Sequence, residues 1–259
     1  MAGRSWKMTM SENAKKLRGS SVAENARTIV YALLIALFIR AFLFQPFFIP
    51  SSSMESTLLV GDYLFVSKYS YGYSKHSLPF SPPLFSGRLM GAQPTRGDIA
   101  VFKQPSDNHT DFIKRVIGLP GDSVQMKEGV LYLNDRAVPR VRVDDFIYRD
   151  AAGNVRRVPQ YRETLPNGVS YITLDMNRNS VWDNTGLYIV PQGHYFMMGD
   201  NRDNSSDSRV ADSVGYVPFE NLIGKAQIIF FSADGSSSFW QVWNWPSAIR
   251  WGRIAKWVD

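Results

Sequence analysis

Hydrophobic and polar positions divide the chain into one apolar segment near the N-terminus and a long region of short, mixed runs. The apolar segment TIVYALLIALFIRAFLFQPFFIP, residues 28–50, follows a polar and basic stretch over residues 1–27. Its uninterrupted part, Ile29–Ile39, is too short to cross a bilayer. Continuation through Arg40 to Ile49 gives about twenty residues, which is enough for a hydrocarbon core ~30 Å thick. The pattern predicts a transmembrane anchor over residues 28–49 behind a basic tail.

Two other interpretations of this segment are a cleavable signal peptide and a buried core helix. The residues after Ile39 are bulky and offer no small-x-small cleavage site, which disfavours the first. A core helix is disfavoured because the segment is apolar all round. Arg40 would cost roughly 2.5–3.5 kcal/mol at the bilayer centre and less near its far side, where it can snorkel. The preceding basic residues place the N-terminus in the cytoplasm and everything after Pro50 outside it.

From Asp62 onward the pattern is one of short β-rich runs bounded by Gly, Pro, Asn and Asp, which is typical of strands and turns. No helix-length periodic segment occurs between Gly61 and Ser232. We therefore expect a mostly β fold, in which the N-terminal transmembrane helix precedes an antiparallel, barrel-like sheet with a second, inserted β subdomain. The predicted main domain combines residues 50–121 with 195–259, and the inserted subdomain covers residues 122–194.

Some segments between the predicted strands carry their own expectations. EGVLYLNDRAV predicts a hairpin with a polar turn at Asn134-Asp135. Residues 74–97 and the polar block from Arg142 to about Asn167 are expected to be loops. The C-terminal tail holds five of the seven tryptophans together with basic side chains. That combination favours a membrane–water interface over simple packing of the tail onto the domain.

Composition narrows the possible chemistry. With 44% hydrophobic and 20% charged residues, the 259-residue chain is globular and can form a real core. A net charge of +6 and a pI of about 9.5 fit nucleic acid or an anionic membrane surface, and the apolar segment favours the membrane. The absence of cysteine excludes disulfides, thiol catalysis and zinc–thiolate sites. Three scattered histidines show no metal-ligand spacing, so we expect neither a metal nor a cofactor.

Polar segments that strand packing does not explain are the candidates for chemistry: PSSSMESTL (50–58), RGDIAVF (96–102), DFIKRVIGLPGD (111–122) and GDNRDNSSDSR (199–209). A serine hydroxyl needs a base to become a nucleophile, and with histidine scarce the available base is a lysine. Lys114 sits among Phe112, Ile113 and Val116. A free lysine is neutral only about one time in 2,500 at pH 7, but desolvation favours the neutral form. A Ser-Lys pair is the resulting hypothesis, against the alternative of an ordinary surface lysine on a strand.

These segments, in this order after one N-terminal span, resemble those of the bacterial type I signal peptidases, the leader peptidases. GDNRDNSSDSR and IKRVIGLPGD carry most of the specificity, and residues 74–95 and 142–190 carry little of it. The resemblance implies a membrane-anchored serine endopeptidase that removes signal peptides from exported preproteins after a small-x-small site. It implies Ser53 as nucleophile, Lys114 as general base, and an oxyanion hole formed by the Ser51 hydroxyl and the Ser53 N–H.

The same resemblance implies supporting roles for further residues. Ser205 would orient the lysine, Asp207 and Arg209 would form an ion pair beside the site, and Gly199 would permit close approach. The pockets for substrate side chains would be formed by Phe47, Ile49, Pro50, Met54, Leu58, Leu64, Val101, Phe112 and Ile113. An extended substrate would add as a strand beside them.

The chain departs from the family pattern at two positions. Ser56 stands where the family usually has proline, which bears on the turn after the nucleophile. Phe112 stands where tyrosine is common, which preserves an apolar wall. Two acidic segments, 200–208 and 175–183, superficially resemble calcium loops but lack the required glycine, so neither predicts a metal site.

The expected partners are signal-peptide-bearing preproteins and the phospholipid bilayer, with the secretion translocon as a further candidate and no nucleic acid. The expected location is the bacterial cytoplasmic membrane, with a single span and the catalytic domain on the outer, periplasmic side. One alternative is a self-cleaving repressor-type Ser-Lys protease, which would need a DNA-binding helical domain in place of the span. Another is a catalytically inactive membrane-anchored binding module, disfavoured by the retention of Ser51, Ser53, Lys114 and Ser205.

Overall fold

The structure is a computed structural model that describes residues 24–78, 81–149, 155–177, 179–237 and 240–258. Residues 1–23 of the predicted cytoplasmic tail lie outside the described residues. The chain divides between Leu43 and Phe44 into two compact units. The N-terminal unit contains helix α1 (Glu24–Leu43), and the second unit contains all strands.

Helix α1 has 20 residues, which correspond to ~30 Å of helix, so by length and composition it can cross a membrane. Its apolar side chains are exposed on every side, as expected of a helix whose solvent is lipid. The last turn, Ile39–Leu43, is π-wound and carries Arg40, so the charge lies at the end of the apolar stretch. The helix stops at Leu43, before the predicted end of the span at Ile49, because residues 44–48 pair as a strand instead.

The second unit consists of three antiparallel sheets. Its strands are β1 (Phe44–Phe48), β2 (Asp62–Ser67), β3 (Ile99–Lys103), β4 (Asp111–Gly118), β5 (Ser123–Lys127), β6 (Val130–Leu133), β7 (Arg136–Ala137), β8 (Arg140–Arg149), β9 (Val155–Thr164), β10 (Ser170–Leu174), β11 (Tyr188–Ile189), β12 (His194–Met198), β13 (Val217–Pro218) and β14 (Leu222–Ser232). Short 3₁₀ turns cover Ser52–Met54, Lys75–Ser77, Phe219–Asn221, Val242–Asn244 and Trp251–Arg253, and one short helix, α2, covers Trp245–Ala248. The predicted fold class, mostly β with an apolar N-terminal helix ahead of an antiparallel sheet, is confirmed.

The largest sheet is a curled half-barrel of seven strands in the order β1-β2-β14-β3-β4-β12-β13. Alternation along β3 explains how it is held together, because successive side chains point to opposite faces. Ile99 and Val101 enter a core cluster with Met54 and Leu58, whereas Phe102 enters a second cluster with Val116 and other residues. Both faces of the sheet are therefore covered, and the segment after β1 is fixed by the first cluster.

The other two sheets lie within residues 123–189. One has the order β11-β5-β6-β7 and the other β10-β9-β8. The predicted turn at Asn134-Asp135 is confirmed: both residues have positive φ, 51° and 60°, and they join β6 to β7. This is the backbone of the tight hairpin turn that asparagine and aspartate tolerate.

The expected loop from Arg142 to Asn167 is wrong. This stretch is largely the β8–β9 hairpin, in which each strand has ten residues. Its polar composition hid the strands, because much of the hairpin is exposed and no buried face imposes an apolar alternation. The register is instead set by cross-strand pairs such as Tyr148 with Arg156 and Ile147 with Arg157.

Candidate active site

Ser53 lies just after β1, in a short 3₁₀ turn held by its apolar neighbours. The turn covers Ser52–Met54, and the Met54 side chain is fully buried in the core. The Leu58 N–H donates to the Met54 carbonyl over 2.8 Å, and Leu58 is also fully buried. These apolar contacts fix the backbone on the C-terminal side of Ser53. Ser53 itself keeps 7% of its surface exposed, so its hydroxyl is held at the floor of a cleft.

Lys114 comes from β4 and meets this hydroxyl directly. The Lys114 Nζ donates to Ser53 Oγ over 2.6 Å and to the Ile113 carbonyl over 3.0 Å. The register of β4 on β3, with Lys114 opposite Ala100, sets the position of the lysine along the strand. This separation is within the hydrogen-bond reach that a general base needs.

The environment of Lys114 favours its neutral form. Only 3% of the residue is exposed, and this burial lowers the pKa of Lys114 to about 8, against the opposing carboxylates of Asp207 and Asp200. At pH 7 a lysine with that pKa is neutral roughly one time in ten, compared with about one in 2,500 for a free lysine. A neutral amine can accept the proton of a serine hydroxyl, which an ammonium cannot.

Ser51 lies beside the same hydroxyl. Its Oγ is 3.3 Å from Ser53 Oγ, and either oxygen can be the donor. Ser51 is exposed to the cleft rather than buried. Ser52, between them, points elsewhere: its Oγ accepts from Asn204 Nδ2 over 2.7 Å.

The loop that follows β12 supplies the third side of the site and approaches Ser53 through Gly199. A Cβ added at Gly199 would come within 2.2 Å of Ser205 Oγ and 2.5 Å of the Ser53 carbonyl oxygen. No side chain fits there, so glycine is required where this loop packs against its own Ser205 and against the Ser53 carbonyl. Asn201 completes the contact, because its N–H donates to the Ser53 carbonyl over 3.1 Å.

Ser205 lies beside Gly199 but does not form the hydrogen bond to Lys114 that the family resemblance implied. It is buried against Gly199, and within the described ranges no hydrogen bond joins its hydroxyl to Lys114. The expected orienting bond to the lysine is therefore not formed in this structure. The lysine is positioned instead by Ser53 and by the Ile113 carbonyl.

Asp207 and Arg209 form the expected ion pair. Arg209 donates from Nε to Oδ1 over 2.9 Å and from Nη2 to Oδ2 over 2.8 Å, and both side chains are buried. Burial alone would raise the pKa of Asp207, but the Arg209 guanidinium and the Gly199 N–H outweigh it and lower that pKa. Asp207 therefore remains a carboxylate, which moderates the effect of burial on Lys114.

A second buried ion pair, between Arg115 and Asp200, was missed from the sequence. Arg115 donates from Nε and Nη2 to the two oxygens of Asp200 over 2.9 and 2.8 Å, with almost no exposure. Asp200 also accepts from Thr57 Oγ1 over 2.5 Å. The contact joins the serine segment, β4 and the Gly199 loop. The available signal was a charged residue, Arg115, in the middle of an apolar strand beside a candidate base.

An apolar cleft of about 500 Å³ opens above Ser53 and Lys114. Six of the predicted substrate-binding residues line it: Phe47, Ile49, Pro50, Val101, Phe112 and Ile113. The other three, Met54, Leu58 and Leu64, have no exposed surface and lie in the core cluster behind Ile49 and Val101. They can shape the floor of the cleft only through the residues in front of them.

One edge of the cleft is an unpaired strand. β4 pairs with β3 from Asp111 to Arg115, but β12 pairs with β4 only from Arg115 onward. Across the described residues, no strand pairs with the other edge of Asp111–Lys114. An extended peptide can add there as a further strand.

Among the residues that the structure describes, no group of three or more His, Asp or Glu side chains is placed to hold a metal ion. The side chains that meet at the site are a serine hydroxyl and a buried lysine amine.

Comparison with known proteins gives consistent similarities. The sequence profile described as signal peptidase, peptidase S26, matches residues 22–231. A signal peptidase I of Rickettsia typhi is 44% identical over 255 residues, covering 91% of this chain and 94% of that protein. A signal peptidase I of Rickettsia canadensis is 42% identical, covering 86% and 85%. A crystal structure of a signal peptidase I from Enterococcus faecalis V583 is 27% identical over 52% of this chain and 97% of that one, with a TM-score of 0.32.

Proposed function

The chain belongs to the peptidase S26 family of signal peptidases, and from that premise we propose that Ser53 and Lys114 are its catalytic nucleophile and general base. It is a signal peptidase I, a serine endopeptidase whose substrates are preproteins that carry a signal peptide. The observation that supports the assignment most directly is the 2.6 Å contact between Lys114 Nζ and Ser53 Oγ in a buried setting.

The reaction proceeds in two halves. Neutral Lys114 takes the proton of Ser53 Oγ as the oxygen attacks the scissile carbonyl carbon. The resulting oxyanion is stabilised by the Ser51 hydroxyl and the Ser53 N–H, two donors close to the attacking oxygen. Lys114 then gives its proton to the leaving amine, and the peptide bond breaks to leave an ester on Ser53. Water, deprotonated by Lys114, hydrolyses that ester and frees the signal peptide.

The cleft supports cleavage after a small-x-small sequence. Its apolar walls accept alanine-like side chains at the positions one and three residues before the cut, because alternate residues of an extended strand face the same side. The unpaired edge of β4 hydrogen-bonds the substrate backbone, which makes affinity depend little on the other side chains.

Two alternatives are less well supported. A self-cleaving repressor-type protease would need a DNA-binding helical domain, but the described part of the N-terminal unit, residues 24–43, is the apolar helix α1. An inactive binding module gives no reason for a lysine to be buried against a serine hydroxyl, since an uncompensated buried amine destabilises the fold.

Ser53→Ala and Lys114→Ala test the proposal. Each variant should lose about 10⁴-fold or more in cleavage of a preprotein with an Ala-x-Ala site, because the residues act as a unit. Lys114→Arg should lose as much, since arginine stays charged and cannot serve as a base. Ser170→Ala and Lys127→Ala change exposed residues outside the site and serve as matched controls. Near-normal turnover by either site variant would show the pair to be assigned wrongly.

We also propose that residues 122–194 form an inserted β subdomain, and that 50–121 with 195–259 form the catalytic domain. The distribution of strands among the sheets supports this proposal. Strands β5 to β11 form the two smaller sheets, whereas β1 to β4 and β12 to β14 form the half-barrel. Strand β1 pairs with β2 in the half-barrel sheet, so we extend the proposed catalytic domain from residue 50 back to Phe44. Limited proteolysis within residues 122–194 can test this boundary. If these residues form a separate inserted subdomain, cutting the chain there should leave the half-barrel sheet intact, and the cut protein should still cleave its peptide substrate. Loss of that activity would contradict the boundary.

Similarity to signal peptidase I and helix α1 indicate membrane anchoring, and we propose a further contact with lipid through the C-terminal tail. Trp240, Trp243, Trp251 and Trp257 are 62–80% exposed, and basic side chains accompany them. Exposed indole rings beside basic groups suit the headgroup region of a bilayer. Their fluorescence should shift to the blue when vesicles containing anionic lipid are added, and an unchanged spectrum would contradict the proposal.

The secretion translocon is a further proposed partner, testable by crosslinking from the same tail.

A further inference from the structure

A second groove adjoins the apolar cleft on the other side of the serine segment. Its volume is about 560 Å³, and Pro50, Ser51 and Ser52 line both cavities. Lys114, Val101 and the apolar walls line the first cavity only. The wall of the second groove is formed by Glu55, by the half-buried Phe146 and the exposed Ile147 and Tyr148 of β8, and by Asp234 and Arg250.

The Glu55 carboxylate in this groove has no partner among the residues that the structure describes: no hydrogen bond or ion pair reaches it. Burial raises the pKa of Glu55, and the nearby Arg250 only partly offsets that effect. Arg250 is itself engaged, since its Nη1 donates to the Val60 carbonyl over 2.9 Å. A half-buried carboxylate without a partner is unfavourable in the free protein, and a cation in the groove would relieve it.

We propose that this groove binds the first residues of the mature chain, just after the scissile bond, and that Glu55 makes the enzyme favour a positively charged side chain there. The inference rests on the proposed function, because it places the signal-peptide half of the substrate in the apolar cleft. When the scissile carbonyl of a peptide lies at Ser53 Oγ, the residues after that carbonyl must pass out of the apolar cleft. The second groove adjoins the cleft on the other side of Ser51 and Ser52, so it is the cavity that can receive them.

Charge and position both support Glu55 as the selective residue. The charged residues of the groove are two acids, Glu55 and Asp234, and one base, Arg250, so its formal charge is negative in a chain of net charge +6. Asp234 already accepts hydrogen bonds from Ser236. Glu55 is two residues from the nucleophile, which puts it within reach of a substrate side chain close to the cut.

Peptide cleavage by the full-length protein in detergent tests the inference. The substrates share one Ala-x-Ala half and carry Lys, Gln or Glu, one position at a time, at the first three residues after the cut. We expect kcat/KM to be roughly fivefold higher for Lys than for Glu at one or more of these positions, as for a partly exposed charge pair. Glu55→Gln should bring that ratio to about one, and Glu55→Lys should reverse it.

The ratio is taken within each variant, so a change in overall activity cancels. Glu128→Gln makes the same change at an exposed glutamate of the β5–β6 turn, and it should keep both the ratio and the rate. In the unmodified protein the preference should shrink as salt is raised from 50 to 500 mM, since the Debye length falls from roughly 14 to 4 Å. This measurement remains available if a Glu55 variant does not fold.

Two results separate the inference from the function on which it rests. If the peptides that carry Gln after the cut are not cleaved, the proposed function itself fails. If it is cleaved but Lys and Glu peptides react equally, or Glu is preferred, the function stands and the role of Glu55 is overturned. A Lys preference that survives Glu55→Gln also overturns it, because another residue must then select the charge.

Discussion

At the scale of single residues, the proposed activity of Ser53 depends on the protonation state of Lys114. Two opposing effects set that state. Burial lowers the pKa of Lys114 to about 8, while Asp207 and Asp200 hold it from falling further. The lysine is therefore poised near the working pH, where a base both accepts and returns a proton readily. A lysine exposed on the same strand would stay charged and leave Ser53 inert.

The pH dependence of cleavage follows from this value. Since only neutral Lys114 can act as base, kcat/KM should rise about tenfold per pH unit below about 8 and level off above it. The measurement is the initial rate of cleavage at low concentration of a peptide without ionisable side chains, between pH 5.5 and 9.5. A profile that is flat through this range, or that keeps rising towards pH 10, would contradict the assignment of Lys114.

Ser56 remains the residue at which the serine segment departs from its family. The peptide bond that precedes it is cis. Its neighbour Thr57 contacts Asp200, and Leu58 is fully buried, so the turn is held from its C-terminal side. The proline that the family usually has at this position is therefore not needed to place Ser53 in this structure.

At the scale of elements, two consecutive residues of β4 make two different contacts in the site. Lys114 reaches Ser53, while the next residue, Arg115, binds Asp200 in the loop after β12. Asp200 in turn accepts from Thr57, four residues beyond the nucleophile. The buried ion pair thus ties together the three segments that form the site.

Removing one partner of this pair should be strongly destabilising. Asp200→Asn leaves the Arg115 charge buried without a counter-ion, and a loss of about 3–5 kcal/mol in the free energy of unfolding is expected. Urea denaturation followed by tryptophan fluorescence measures it, alongside peptide cleavage. Asp145→Asn, the same substitution in the exposed Arg142–Asp145 pair of β8, is the matched control and should change stability much less. Equal effects of the two substitutions would mean that the buried pair is not a structural link.

At the scale of the whole molecule, the two units of the chain suit different surroundings: helix α1 suits lipid and the catalytic unit suits water. Helix α1 is apolar all round, and the unit that begins at Phe44 folds around its own cores. The basic residues before α1 predict a cytoplasmic N-terminus, and we propose on that basis that the catalytic unit lies on the outer side. Signal peptides emerge on that side of the membrane during export.

This topology can be tested because the chain has no cysteine. Ser236→Cys and Lys15→Cys each introduce a single thiol, one in the catalytic unit and one in the N-terminal tail. A membrane-impermeant maleimide applied to spheroplasts should label the first variant at once and the second only after permeabilisation. The unmodified protein is the control and should stay unlabelled. Labelling of Lys15→Cys in intact spheroplasts would reverse the proposed orientation.

Much of this protein was determined locally and could be predicted from the sequence. The apolar stretch predicts α1, alternation predicts β3 and β4, and Asn134-Asp135 predicts its hairpin turn, because each depends on neighbours along the chain. The serine, lysine and aspartate–arginine segments could also be named as candidates, since their polar residues have no packing explanation. The β8–β9 hairpin could not, because its strands are stabilised by cross-strand pairs and not by an apolar face.

Only the tertiary structure decided which of these groups meet. Ser53 and Lys114 are 61 positions apart. Ser53 lies in the turn after the first strand of the sheet order and Lys114 on the fifth strand, and in a flat sheet those two strands would be ~19 Å apart. The curl of the half-barrel and the chain between Phe48 and Ser53 close that gap. The same packing removes Lys114 from water, pairs Arg115 with Asp200, and leaves Glu55 without a partner. Such contacts depend on the register and curvature of the whole sheet, to which every core residue contributes, and no local pattern records them.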